Sequence, residues 1–428
     1  MGRRVVAVAA CAAVLGAGAG AWGWQGGELL EARAAEALAS IRAEIEAEGG
    51  WFRHGAPSAD PWRLRVAVPS PEASGADGAS LRAERLLVSL APWDETPGIR
   101  LEEVMGTAQG MRLRAKALGG RPSPSGPDPV VVLDAWASDL RLEDARASGR
   151  RSLLSAGSVR AERLSRAGGA EGVVAEGVRV EQASDRHRQG GDVSAARIEA
   201  SRLGGEGPWI GTFRIAAREV ALRGGAGEIA AARIRLEGAM DGVRSEGLLA
   251  IEDGRLSPSG AGRPERFTLG SSWRQEGQGL ETGVDLTLEG MMAARVSVAL
   301  RDLPPVGGGS SDPQARLEAV LAFSEATLAS ASLEIRDLGG LPAWLSAEGA
   351  GIRRWAEMEG RSAALGMPEA DRALRSAVAD FVRAPGGRTL FIAATPPRPL
   401  TMEDLGRRGP FLLLGAGAGP LGLSAQVR

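Results

Sequence analysis

A phrase recurs between Leu81 and Ile335: an apolar residue, a gap, Ala (once Ser), two mostly polar residues, then apolar, gap, apolar. Its copies are Leu81, Ala83, Leu86, Val88, then Ala135, Ala137, Leu140, Leu142, then Val173, Ala175, Val178, Val180. It continues with Val193, Ala195, Ile198, Ala200, then Ile215, Ala217, Val220, Leu222, then Ile229, Ala231, Ile234, Leu236. Later copies are Met291, Ala293, Val296, Val298 and a looser Leu328, Ser330, Leu333, Ile335, with truncated ones starting at Leu113 and Val159. Steps of two put alternate side chains on one face of a strand, and the step of three breaks that alternation by one residue. Both halves keep facing a core only if the strand bulges or bends there. The phrase therefore predicts short bent strands with Arg, Glu, Ser and Asp on the wet face. Turns such as Gly168-Gly169, Gly204-Gly205 and Gly224-Gly225 separate many units, as antiparallel meanders need. Copies start 14 to 24 residues apart from Leu113 to Ile229, an approximate array rather than a strict solenoid.

Before the array, Leu30, Ala34, Leu38, Ile41 and Ile45 form one helical face, stopped by Gly49-Gly50. Trp62, Leu64, Val66 and Val68 alternate as a first strand, followed by a loop over Pro69 to Ala79. Breaks are expected at Gly119 to Pro129, where four prolines oppose a ladder, at Gly254 to Pro264 and at Pro304 to Pro313. Val284, Leu286 and Leu288 lead into a hairpin turning at Glu289-Gly290, and Leu317, Ala319, Leu321 and Phe323 alternate once more. After residue 340 the pattern changes to helical stretches around Trp344, Ile352, Trp355 and Met358. A helix over Glu369 to Arg383, a strand over Thr389 to Ala394 and a short helix capped by Thr401 with Asp404 follow. The fold class expected is α+β, β-rich: repeated bent antiparallel strands in an open or sandwiched sheet, with an N-terminal helix and a helical C-terminal segment. The segments are 1–27, an export segment; 28–50, an amphipathic helix; 51–340, a repetitive β-rich domain; and 341–428, a mixed helical segment. A closed sandwich is the more economical arrangement, because a large unfilled apolar face is unusual in water. In an open, bent sheet, the Ala positions would line the tighter concave side and leave room for an acyl chain.

Composition changes the picture mainly by locating the chain. Its 428 residues carry a formal net charge of -2, so no basic excess argues for nucleic acid. Arg3-Arg4 precede an uncharged stretch from Val5 to Trp24, long enough to enter a bilayer with the cations left behind. This predicts an inner-membrane anchor with the body in the periplasm; a cleaved signal peptide, cut near Ala19-Gly20-Ala21, exports the body equally well. The membrane is thus the first expected partner, through Val5 to Trp24. The single cysteine, Cys11, lies in that stretch and excludes an internal disulfide framework.

The repeated phrase, the segment Leu81 to Asp94 ending in Ala91-Pro92-Trp93-Asp94, and the tail together resemble a family of uncharacterised proteobacterial envelope proteins, broadly AsmA-like. In the tail, Ser332 to Gly339 precedes helices, then Phe381-Val382-Arg383-Ala384-Pro385-Gly386, then Pro396 to Leu405. The resemblance implies an amino-terminal anchor and a strand-rich body, in some relatives forming a groove thought to contact lipid. It brings no catalytic residues, and this chain is short beside the long lipid-bridging members.

Recognisable catalytic chemistry is sparse. Gly18, Gly20, Gly23 and Gly417, Gly419, Gly422 match a dinucleotide fingerprint, but one lies in the export segment and the other at the chain end, without the strand, helix and acid the motif requires. His54 and His187 are the only histidines, too few for a His-rich metal site. No Gly-x-Ser-x-Gly elbow occurs, and the carboxylates alternate with Arg as on a solvated strand face. The ten tryptophans are scattered, which fits packing better than base stacking. No catalytic, cofactor-binding or metal residue is assigned. The function expected is non-enzymatic, in envelope organisation or lipid handling through an apolar strand face. The alternatives are an accessory protein-binding subunit of a secretion or envelope-assembly system, working through exposed strand edges, or an enzyme of unrecognised type.

Overall fold

The computed structural model describes residues 27–47, 49–60, 63–89, 98–108, 110–122, 130–144, 152–165, 169–182, 191–203, 211–224, 227–240, 244–258, 265–303, 323–347, 349–359, 369–405 and 421–428. The export segment with Cys11, the Ala91 to Asp94 motif, Leu317 to Leu321, His187 and the Pro304 to Pro313 break lie outside the described residues. Compactness divides the chain into Met1–Glu206 with Arg214–Glu228, and Gly207–Phe213 with Ile229–Arg428. That division falls within the repetitive region rather than at the change of pattern near residue 340.

The first unit opens with helix α1 (Gly27–Ala47) and strands β1 (Trp51–Arg53), β2 (Ser58–Asp60), β3 (Arg65–Pro69), β4 (Glu72–Ser74), β5 (Ser80–Arg82) and β6 (Arg85–Ser89). Longer strands follow: β7 (Gly98–Ala108), β8 (Met111–Pro122), β9 (Val130–Asp144), β10 (Ser152–Ser165), β11 (Ala170–Gln182), β12 (Gly191–Leu203) and β13 (Gly211–Gly224). All pair antiparallel. β7 meets β8, β8 meets β9, and so on in sequence to β13, while β5 and β6 share the other edge of β7. β5 continues to β4 and β1, and β6 to β3 and β2. This is one open antiparallel sheet, and the sandwich expectation is corrected. A helix, not a second sheet, supplies the cover: Ala34, Leu38 and Ile45 of α1 cluster with Phe52, Val66, Val68, Leu86 and Val88.

The step of three in the phrase has a backbone cause. Asp139, Gly177 and Glu219 are each the second of the two residues between the Ala and the next apolar position, and their φ values are 48, 60 and 51°. Glu103 occupies the equivalent place between Leu101 and Val104, with φ of 49°. Each of these residues drops out of the ladder, and so does one opposite it: Glu176 pairs Arg197 and Val178 pairs Ala195, leaving Gly177 and Ala196 between. Because both strands carry an extra residue, register survives and both halves keep the apolar side inward. Toward the first strands the same kink becomes a break. Ser70 (φ 49°) donates its N–H to Glu84 O at 2.8 Å, and Glu84 N–H donates to Glu102 O at 2.9 Å.

Several local expectations are corrected. Leu64 belongs to the turn between β2 and β3, with φ of 48°, and the supposed loop after Pro69 contains β4. The Gly119 to Pro129 break starts late: Gly119 pairs Trp136 and Pro122 pairs Val132, so β8 runs on. Pro122 stands at the strand's end, where a missing donor costs little. β15 likewise continues to Pro258, beyond the expected break at Gly254.

The second unit contains β14 (Gly227–Met240), β15 (Arg244–Pro258), β16 (Glu265–Glu276), β17 (Gly279–Leu288), β18 (Met292–Arg301) and β19 (Thr327–Asp337). Helices α2 (Leu341–Ala347), α3 (Ala350–Glu359) and α4 (Glu369–Arg383) precede β20 (Thr389–Ala394) and β21 (Leu423–Val427). β15 to β21 pair antiparallel in sequence order. The Met291 copy of the phrase is a coincidence of composition: β18 pairs residue by residue with β17 and has no kink, so Ala293 and Val296 point to opposite faces. Phe323 lies in a helical turn rather than a strand.

Leu341, Leu345 and Phe381 pack with Leu390, Ile335 and Ile392, so α2 and α4 cover the apolar side of β19 and β20. Asp337 fastens this cover. Its buried carboxylate accepts from the N–H groups of Gly339 (2.9 Å), Leu341 (3.2 Å) and Gly387 (3.0 Å). Burial pushes its pKa up, but the three N–H donors outweigh this and hold it below the ordinary carboxylate value. The Arg336-Asp337-Leu338-Gly339 and Ala384-Pro385-Gly386-Gly387 stretches thus meet at one carboxylate.

Candidate functional site

The feature that stands apart is the apolar face of β7 to β13 in the first unit. Four rows of apolar side chains cross the strands. Two lie between the kinks and one end of the sheet. One reads Leu101, Leu118, Ala137, Val159, Ala175, Ile198, Ala217; its neighbour joins Ile99 to Gly120, Ala135 to Ala161, and Val173 to Ala200 and Ile215. Beyond the kinks, one row joins Leu140 to Ala156 and Val178 to Ala195 and Val220, and the outermost reads Leu113, Leu142, Leu154, Val180, Val193, Leu222. Large and small residues alternate from Ala137 to Ala217 in the first of these rows and from Leu140 to Val220 in the third, so the Ala positions there stand between bulkier neighbours.

One depression on this face is an apolar pocket of about 200 Å³. Its floor is built from small residues, Gly120, Ala135, Ala137 and Ala161, and its walls from Ile99, Leu101, Leu118, Val132, Val159 and Leu164. Kinks at Asp134 (φ 49°) and Asp139 let Val132, Ala135, Ala137 and Leu140 all serve one face despite their mixed spacing. On the opposite face, the Trp136 indole lies so close over Gly119 that a Cβ there would sit 2.5 Å from the ring. Arg100 stacks above it, with its guanidinium 5.8 Å from the ring centroid. The floor is therefore backed by a packed layer.

Cover is unequal along the trough. At the β7 end, Ile99 and Leu101 belong to the α1-covered core, whereas Ala135, Ala161, Val173 and Ala200 form a separate cluster on the sheet itself. Val88 is fully buried, but Val193 is 37% and Leu222 45% exposed. The wet face carries cross-strand ion pairs such as Arg197 with Glu176 (3.2 Å) and Arg179 with Asp192 (3.1 Å), and Arg197 also meets Glu199 on its own strand (2.7 Å). These are the solvated carboxylates expected from the sequence, each engaged by an arginine.

The residues singled out for chemistry are not brought together. His54 Nδ1 lies 2.7 Å from Gly55 O and its ring stacks on Phe52 at 5.3 Å, so it is a local packing group. Gly422 is a turn residue ahead of β21 whose Cβ would collide with Thr395 O; Gly18, Gly20, Gly23, Gly417 and Gly419 lie outside the described residues. Among the described residues, no group of three His, Cys, Asp or Glu is placed to hold a metal ion, and no helix is long and apolar enough to cross a membrane. The pocket residues Gly120 and Ala161 were missed because Gly119-Gly120 read as a break and the Val159 copy as truncated. The signal available was the apolar Leu118 just before the glycines. No family model matches the chain, and no curated protein matches it.

Proposed function

We propose that this chain is a non-enzymatic envelope protein, anchored in the inner membrane through Val5 to Trp24, that handles lipid by holding an acyl chain against the apolar trough of β7 to β13. The observation that carries this reading is an apolar face running over seven strands, on which, among the described residues, the β7 end is clustered with α1 while Val193 and Leu222 stay exposed. Six inter-strand steps of about 4.8 Å give a length of about 29 Å. One leaflet's acyl chains occupy about 15 Å, half of a hydrocarbon core of about 30 Å, so a whole chain fits. An apolar face of this extent in water marks an interaction site, and the small floor residues suit a narrow, flexible aliphatic occupant. An open trough favours lipid over the strand-edge partner that a closed sheet would have suggested. Native mass spectrometry of the detergent-extracted full-length chain tests it: a bound phospholipid or fatty acid is expected, lost on Ala137→Trp, while a protein co-purifying without lipid overturns it. A reporter active only in the cytoplasm, fused after Arg428, is expected to be silent.

A further inference from the structure

The direction of α1 against the sheet is fixed by two hydrogen bonds. In its amino-terminal half, Glu31 Oε1 accepts from the N–H of Ala59 at 2.9 Å, and in its carboxyl-terminal half Arg42 Nε donates to Phe52 O at 3.2 Å. Ala59 stands in a row of paired residues that runs through Val66, Val88 and Ile99 to Gly120. Phe52 stands in another, through Ala73, Leu81 and Gly106 to Leu113. The two rows cross β7 at Ile99 and Gly106, at most about 23 Å apart along the strand. α1 therefore lies along the strands, with its amino end at the end of the sheet where β6 leads into β7 and where the pocket residues Ile99 and Gly120 lie. Charge differs between that end and the outward side of the helix. One row beyond Ala59, the β2–β3 turn and the start of β3 expose Arg63 and Arg65, with Arg63 at 3.8 Å from Asp60. Among the described side chains of α1, the exposed charged ones are Glu36, Arg42 and Glu46, and Arg42 is engaged with Phe52 O.

Resting on the anchor in the reading above, we propose that the first unit meets the bilayer with this end of its sheet, the partner of Arg63 and Arg65 being an anionic headgroup surface. Only Gln25 and Gly26 separate Trp24 from α1, and the steps from Trp24 to Gly27 span at most about 11 Å. The amino end of α1 is thus held at the membrane whatever the helix does further along. Two arrangements satisfy that tether: a helix lying along the surface, and a helix standing away from it. Lying on its outward side would press Glu36 and Glu46 against anionic lipid, whereas standing brings the two arginines to it. The 21 residues of α1 then carry its carboxyl end about 31 Å from the surface. The pocket rows lie toward the membrane, and the β7–β8 turn at Gly110 points away from it.

The test uses the full-length chain carrying Cys11→Ser, reconstituted in vesicles of phosphatidylethanolamine and phosphatidylglycerol with a nitroxide on some of the headgroups. A fluorophore is attached at Ser58→Cys, close to the amino end of α1, or at Thr107→Cys, both exposed positions. Quenching is expected to be several-fold stronger at Ser58 than at Thr107. In the Glu36→Lys, Glu46→Lys double variant the two values are expected to converge as the helix settles onto the surface, and a difference unchanged by the lysines overturns the role given to charge. Equal quenching in the parent, or stronger quenching at Thr107, overturns the orientation and leaves the anchor standing. Quenching at neither site, in protein that floats with the vesicles, does the same. Protein that does not float with them overturns both. If the double variant does not fold, the parent pair decides alone.

Discussion

The α1-covered end of the first unit and its uncovered strands are written in nearly the same pattern, yet they have different fates. Leu86 and Val88 of the Leu81 copy are buried beneath the α1 cluster, while Val193 of the next-but-two copy and Leu222 of the one after stand at 37% and 45% exposure. The strand pattern decides which side is apolar; what lies on that side decides whether it becomes core. The second unit repeats the lesson within itself. Leu390, under α2 and α4, is 3% exposed, and Val296, on the same side of β18, is 38%.

The sharpest break of this comparison is a charge placed at one covered and one exposed apolar position of the phrase. Val88→Asp is expected to cost about 4 kcal/mol, because an unpaired carboxylate is left in the covered core, and Val193→Asp about 1 kcal/mol or less. Hydrogen exchange at β6 and β12 reads each locally. Equal losses would mean that the exposed rows are covered in solution.

Next in size is the fastening of the second unit's cover. Asp337→Ala leaves three N–H groups without their acceptor and is expected to cost about 3 kcal/mol, with Asp337→Asn costing less. The folded pKa lies below the unfolded value of about 3.9, so the contribution is complete above roughly pH 5 and is lost as pH falls through the folded pKa. Thermal midpoints of wild type and Asp337→Asn should therefore converge in acid. A gap that persists unchanged to the lowest accessible pH would assign the loss to packing instead.

The kinks give a smaller and more symmetrical test. Gly177→Ala forces a Cβ into a left-handed residue and is expected to destabilise by about 1 kcal/mol. Glu219→Gly, at the equivalent place on β13, is expected to stabilise by about 0.5 kcal/mol, the relief of strain exceeding the entropy cost of glycine. Both are read from the melting of the first unit, and a loss of stability in Glu219→Gly as well would show that the kinks are not equivalent. Smallest is the wet face. Arg197→Ala removes two exposed ion pairs and is expected to change stability by about 0.5 kcal/mol or less.

The strands and their phase were legible because both are local. The step of three between Ala137 and Leu140, Ala175 and Val178, and Ala217 and Val220 marks the residues with positive φ, since a one-residue shift of phase has to be absorbed by the backbone where it occurs. At the Met291 copy an Ala-rich composition imitates the phrase, and the ladder passes straight through. Gly119-Gly120 continues a strand because side chains of the neighbouring strand, Trp136 over Gly119 and Val132 over Gly120, pack into the space that their own side chains would occupy. No spacing in the chain announces that contact.

Pattern along the chain was enough to specify an antiparallel, kinked, one-sided sheet. It left open whether a second sheet or a helix would cover the apolar side, and how far along the cover would reach. Those outcomes rest on contacts between residues distant in sequence, such as Leu38 against the strands beyond it and Asp337 against Gly387. An apolar side chain has the same preference for burial wherever it stands, and only the three-dimensional arrangement determines which partners are within reach. The pocket belongs to that second class: Gly120, Ala135 and Ala161 are unremarkable small residues one by one, and become a floor only because Ala135 pairs Ala161 and a register shift in β8 brings Gly120 against Ala135.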